Sequence, residues 1–203
     1  MNDELDRDLA EAAGRLPTGP SPDALRRFAE RAQREGVLDV AYAQVDSPLG
    51  PLTVAATDRG LVRVAYPEHT LDSVLEVLSR EISPRVLEAP ERLDPIRREL
   101  DEYFKGDLRR FETSIDWSLT GDGFFRKVLR ATSSIGYGKV LTYGEVAAKA
   151  GSAKAVRATG NGLGSNPMPV VVPCHRVVRT GGGLGGYTGG IERKEFLLAL
   201  ERG

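Results

Sequence analysis

The sequence predicts an α+β fold whose two halves differ in kind, and three observations predict it. Three short Val-rich runs separated by turn clusters occupy residues 40–66. Helical periodicity follows at 71–82 and 93–104, and from Phe124 onward helices dominate, with a capping signal and a tight glycine turn between two of them. The chain therefore reads as a helical extension over 1–36, an α/β domain with a small antiparallel sheet over 37–120, and a mostly helical domain with a helix-turn-helix over 121–203.

The elements follow in order. Glu4 to Ala13 and Ser21 to Glu35 have helical patterns, with a Gly/Pro-rich linker between them. Ser21 before Pro22 marks a helix start and Gly36 a stop. This extension carries no recognisable chemistry. Val40 to Val45, Leu52 to Ala56 and Leu61 to Tyr66 are expected as strands, joined by Ser47-Pro48-Leu49-Gly50-Pro51 and Asp58-Arg59-Gly60. Helices are expected over Leu71–Ile82 and Leu93–Phe104, and Arg110 to Ile115 reads as a further strand.

In the second half a helix beginning at Phe124 ends near Gly136. Thr142-Tyr143-Gly144-Glu145 is a capping box, in which hydroxyl and carboxylate each satisfy a backbone N–H of the other's turn. That helix should stop at Gly151, and Ser152 is expected to cap a second one running toward Gly162. The pair reads as a helix-turn-helix, a motif that serves plain packing as often as DNA. Asn166-Pro167-Met168-Pro169 forbids helix, and Val170 to Pro173 is expected extended and buried. Seven glycines between Gly181 and Gly190 exclude an element interior there, and an amphipathic helix over Ile191–Glu201 closes the chain.

Composition narrows the function classes. The 203 residues are 40% hydrophobic and 28% charged, with no run of about 18 apolar residues that would span a membrane. The acidic start at Met1-Asn2-Asp3-Glu4 offers no secretory signal, so a soluble cytoplasmic protein is expected. One cysteine excludes an internal disulfide, and with His69 and His175 as the only histidines no four-ligand Cys/His zinc site can be assembled. No metal and no cofactor are expected. The formal charge of −1 hides an asymmetry: residues 121–203 hold 12 Lys/Arg against 5 Asp/Glu, the remainder 16 against 24. A basic half suits phosphates or is a solvated surface.

A lone cysteine is often an inert core residue, but Cys174 has neighbours that could activate it. Only the thiolate is a nucleophile, and an imidazole that takes the proton directly or through water lifts that limit. His175 is adjacent and Arg176 adds positive charge. Adjacent side chains diverge on a strand, so a bridging water is the expected relay unless the chain turns here. Glu201 on the closing helix is a candidate to orient the imidazole.

Pro173-Cys174-His175-Arg176-Val177-Val178 resembles the active-site signature of the O6-alkylguanine-DNA alkyltransferases, also called methylated-DNA-protein-cysteine methyltransferases. The resemblance extends through Thr142–Glu145, Ala158 to Asn166, and Gly185-Gly186-Tyr187-Thr188-Gly189-Gly190 to Lys194, Leu197, Leu198 and Glu201, about 80 residues in ordered spacing. It implies a ribonuclease-H-like fold for the N-terminal domain. It also implies one irreversible alkyl transfer from guanine O6, with thymine O4 as a further candidate, in double-stranded DNA to Cys174. The thiolate would arise through water, His175 and Glu201. Asn166 would tie backbone near Val177, and Arg157 on the second helix of the helix-turn-helix would hold open the gap left by a flipped nucleotide in the minor groove. Tyr143 would sit near that nucleotide's phosphate and ring edge, Tyr187 and Thr188 would stabilise the departing guanine, and Lys194 would support the pocket or face solvent. A monomer is expected. Gly160, Gly162, Gly164 and Ser165 make the recognition helix weak, which predicts modest DNA affinity. Three rivals remain distinguishable: a damage sensor, which would lack the acceptor cysteine; a sequence-specific helix-turn-helix regulator, indifferent to Cys174; and a cysteine hydrolase, which would turn over repeatedly.

Overall fold

The structure is a computed structural model that describes residues 21–203. The helix expected over Glu4 to Ala13 and the linker after it lie outside the described residues. The first described helix, α1 (Pro22–Arg34), starts where its local chemistry dictates. The Ser21 hydroxyl accepts from the Ala24 N–H at 3.2 Å, and Gly36 ends the helix at φ +68°. Ala29 and Ala32 face the core.

Strands β1 (Val40–Val45), β2 (Leu52–Thr57) and β3 (Gly60–Ala65) form the expected antiparallel meander, with Val45 opposite Leu52 and Thr53 opposite Ala65. The sheet is nevertheless mixed. After helix α2 (Leu71–Glu81), a three-residue strand β4 (Val86–Glu88) pairs parallel to β1, giving the order β3-β2-β1-β4. Three residues are too few for alternation to reveal a strand in sequence. The strand expected over Arg110 to Ile115 is corrected to a single bridge, Leu61 to Ile115. The end of the segment lies against the start of β3, Leu61 N donating to Ser114 O at 2.8 Å, and packs so closely on Gly60 (φ +130°) that a Cβ there would lie 2.2 Å from the Ser114 carbonyl oxygen.

The two sheet faces are covered differently. Val74 and Leu78 of α2 pack with Val40, Ala55, Val62 and Ala65 on one face. On the other, Ile96, Leu100 and Tyr103 of α3 (Asp94–Lys105) merge with residues of the C-terminal half, including Val128, Leu129, Val146 and Leu197, in one continuous core. The two halves are thereby welded by apolar burial. Among the described residues no helix is long and apolar enough to cross a membrane.

The C-terminal half comprises α4 (Phe124–Ser133), β5 (Leu141–Thr142), α5 (Tyr143–Lys149), α6 (Val156–Gly164), β6 (Val177–Val178) parallel to β5, and α7 (Ile191–Leu200). The capping box forms as expected: Thr142 Oγ1 accepts from Glu145 N at 3.2 Å, and Thr142 N donates to Glu145 Oε2 at 2.6 Å. The expected cap at Ser152 does not form. Residues 152–155 close into a turn, Ala155 N donating to Ser152 O at 2.9 Å, and α6 begins at Val156 without a side-chain cap. Its Gly162 has a packing reason, since a Cβ there would lie 3.2 Å from Phe125 Cδ2 of α4.

Val170 to Pro173 is buried as expected but not extended. Val172 N donates to Met168 O at 2.8 Å, and Val170 takes φ +73°, a left-handed conformation that a β-branched residue adopts only under constraint. The Asn166 amide supplies part of that constraint. Its Oδ1 accepts from Met168 N at 3.0 Å and its Nδ2 donates to Val172 O at 2.8 Å.

Candidate active site

This tight turn hands the chain to a 3-10 turn, Cys174–Arg176, so the chain does turn at the nucleophile. Cys174 is buried, and its Sγ accepts from Asn166 Nδ2 at 3.1 Å. Burial pushes the thiol pKa up; the Asn166 hydrogen bond, the Lys194 charge and the Tyr187 hydroxyl pull against it without reversing it. Asn166 thus binds the Val172 carbonyl and the sulfur, rather than backbone near Val177 as expected. The tight turn at 168–172 brings the Val172 carbonyl within its reach.

The side chain of His175 points the other way, into a buried polar network. Its Nε2 lies 2.8 Å from Glu201 Oε1. The Glu201 carboxylate also accepts from Tyr103 OH at 2.6 Å, from Arg176 Nε at 2.9 Å and Nη2 at 2.8 Å, and from Gly138 N at 3.2 Å. Burial alone would raise the Glu201 pKa, but the bonds from His175 and Arg176 bring it down to about 2. The carboxylate is therefore ionised and acts as an acceptor, so His175 Nε2 carries the hydrogen. Burial holds the imidazole pKa below its ordinary value, and Nδ1, with its lone pair, is buried without a protein partner. The result is a neutral base with one unused acceptor site.

On the opposite side of the sulfur lies a cavity of about 260 Å³, walled by Gly160, Leu163 and Gly164 of α6, by Tyr143 at the start of α5, and by Gly186, Tyr187 and Thr188 of the glycine-rich loop. Two of these close contacts require glycine. A Cβ on Gly185 would meet the Tyr143 hydroxyl at 2.6 Å, and one on Gly189 would meet Tyr66 at 2.5 Å. Thr188 Oγ1 donates to Gly164 O at 2.6 Å, fastening the loop to α6 at the cavity wall. Lys194 is fully buried, which excludes the solvent-facing option. Its Nζ donates to Val177 O at 2.6 Å and to Leu184 O, tying loop to strand, and burial lowers its pKa to about 8.

Arg157 stands apart from this cluster. It is exposed in the first turn of α6 and makes no ion pair or side-chain hydrogen bond among the described residues. A cation at a helix N-terminus opposes the helix dipole, a local cost that binding an anion would offset. Three groups escaped the sequence reading: Tyr103 and Gly138 as partners of Glu201, and Tyr66, whose hydroxyl lies 2.6 Å from that of Tyr187. Tyr103 shares the apolar face of α3 with Ile96 and Leu100, so its periodicity reads as core. Among the described residues no cluster of His, Cys, Asp and Glu is fit to hold a metal.

Comparison with known proteins gives a consistent picture. Residues 40–117 match the ribonuclease-like domain of 6-O-methylguanine DNA methyltransferase, and residues 123–203 match its DNA-binding domain. The chain is 39% identical over 163 residues to a methylated-DNA–protein-cysteine methyltransferase of Mycolicibacterium paratuberculosis, covering 80% of this chain and 93% of the relative. A protein of the same name from Methanosarcina acetivorans is 36% identical, covering 79% and 97%. The crystal structure of Mycobacterium tuberculosis OGT in complex with DNA superposes with a TM-score of 0.69 at 36% identity, covering 80% of this chain and 92% of that one.

Proposed function

Because the chain belongs to the 6-O-methylguanine DNA methyltransferase family, we propose that it repairs double-stranded DNA by moving the alkyl group of O6-alkylguanine onto Cys174, once per molecule. The observation that carries this reading is the position of the only cysteine. Its sulfur is shared between a cavity walled by the DNA-facing helix and the turn that leads to a neutral, carboxylate-backed imidazole.

Each group has a task that follows from its surroundings. The raised thiol pKa keeps Cys174 protonated at rest, so the thiolate is generated on demand. His175 Nδ1 takes the proton through a water in the site where it now lacks a partner, and Glu201 stabilises the imidazolium formed. The cavity is smaller than the roughly 300–1,000 Å³ of drug-sized sites, which suits a single flipped base. Arg157 fills the gap that the extruded nucleotide leaves in the duplex. Tyr143 and Tyr187 face the base, and Lys194 and Thr188 hold the loop that closes over it. Residues 37–120 brace the site and residues 121–203 carry the DNA-facing helix and the nucleophile. The protein works as a monomer in the cytoplasm, a compartment that keeps a lone thiol reduced.

The product is a thioether, and the chain has no second thiol to displace it. Turnover stops at one event. Cys174→Ala separates the readings: it should retain binding to a duplex bearing O6-methylguanine and lose transfer completely. Transfer that survives the substitution would remove Cys174 as acceptor, and wild-type protein that binds without transferring would be a sensor.

A further inference from the structure

The N-terminal half places one side chain against the reaction cavity that the mechanism above does not use. Tyr66, immediately after β3, is buried, with its hydroxyl 2.6 Å from that of Tyr187 and the two rings edge-on at 6.3 Å and 64°. Its position is fixed from several sides. The Arg193 guanidinium carbon sits 4.6 Å from the Tyr66 ring centroid, and Arg193 is itself held by Glu68 at 2.7 Å and the Gly189 carbonyl at 2.9 Å. Gly189 lies where a Cβ would approach Tyr66 to 2.5 Å and Tyr187 to 2.9 Å, so any side chain there would separate the pair.

Two hydroxyls joined by one hydrogen bond leave a direction to decide. The Tyr66 hydroxyl has no other acceptor among the described residues, whereas Tyr187 lines the reaction cavity together with Cys174. A buried hydroxyl proton needs an acceptor. The order Tyr66 to Tyr187 gives the Tyr66 proton its acceptor and leaves the Tyr187 proton for the cavity and its occupant; the reverse order spends the Tyr187 proton on Tyr66 and turns it away from the reaction. A hydroxyl that accepts a hydrogen bond also becomes a stronger donor, and the cation over the Tyr66 ring strengthens the first link.

We propose that Tyr66 is a positioning residue for alkyl transfer, donating to Tyr187 and so aiming the Tyr187 proton at the sulfur and the departing O6. This rests on the reading of Cys174 as acceptor. In the transfer step the sulfur lone pair forms the S–C bond while the C–O6 bond breaks and its electron pair passes to the purine. Tyr187 donates a hydrogen bond to that oxygen and keeps its proton, its pKa held well above the ordinary value by burial. The thiol proton leaves through His175, and the purine anion regains one from solvent, so charge balances.

The test is single-turnover methyl transfer from duplex O6-methylguanine between pH 6 and 9, comparing the full chain with Tyr66→Phe, Tyr187→Phe and the double variant. Tyr66→Phe should transfer about tenfold more slowly. The rise of its rate with pH should move to higher pH, while lesion binding and melting temperature stay as in the wild type. The double variant should be no slower than Tyr187→Phe alone. A wild-type rate and profile for Tyr66→Phe, full multiplication of the two effects, or an equal loss of lesion binding would each overturn the proposal. Wild-type protein that fails to methylate Cys174 in the same assay would instead sink the reading on which it rests.

Discussion

The two sides of Cys174 are built to opposite specifications. Behind the sulfur, His175, Arg176, Tyr103 and Glu201 form a buried network in which every polar side-chain atom except His175 Nδ1 has a partner. In front of it, α6 is short, glycine-rich and uncapped by any side chain, and Arg157 is left exposed. The chemical side is held rigid because an unpaired buried charge is costly. The α6 side carries small residues, and Gly160 and Gly164 leave the helix backbone open to the cavity. Preorganisation and access are thus assigned to different elements.

Breaking the rigid side should have the largest effect. Glu201→Gln leaves Arg176 buried without its counter-charge and removes the carboxylate behind His175. Transfer should fall roughly a hundredfold, and stability measured by urea unfolding should drop by about 3–5 kcal/mol. A stable, fully active variant would show that the network is merely structural filling. On the recognition side, Arg157→Ala should slow repair of duplex substrate about tenfold, while transfer from the free base O6-methylguanine stays unchanged. Equal losses with both substrates would remove its extrusion role.

Acid separates the two sides as well. The folded-state pKa of Glu201 is depressed to about 2, so its contribution to stability is fully present above the ordinary carboxylate range. It is lost as pH falls from about 4.5 toward about 2, and amounts to on the order of 3 kcal/mol. Urea midpoints should decline through that window in the wild type and remain flatter in Glu201→Gln. The smallest contrast lies within the helix-turn-helix. Thr142→Ala removes a formed capping box and should cost about 1 kcal/mol, whereas Ser152→Ala, at a cap that does not form, should stay within about 0.5 kcal/mol.

What could be read in the sequence was local or contiguous. The Ser21 and Thr142 caps, the strand meander and the neighbours of Cys174 depend on residues a few positions apart, and the structure shows each of them. The Glu201 network joins positions 98 residues apart through Tyr103, whose spacing on α3 is that of any core residue. The turn at 170–173 depends on a valine forced to φ +73° by Asn166 and its surroundings, against its own preference for extended backbone. The resemblance carries the Asn166 amide to backbone near Val177, and only the turn itself shows that it reaches Val172. Strand β4 is too short to show a period, and the segment 110–115 meets β3 at one bridge beside a glycine fifty residues earlier.

The central claim is that one alkyl group ends on one sulfur, irreversibly. Intact mass and peptide mapping after incubation with excess duplex containing O6-methylguanine test it most directly. The account predicts one methyl per chain, located on Cys174, with no further product however long the reaction runs. A chain that stays unmodified while the lesion disappears, or that carries its methyl elsewhere, would contradict it.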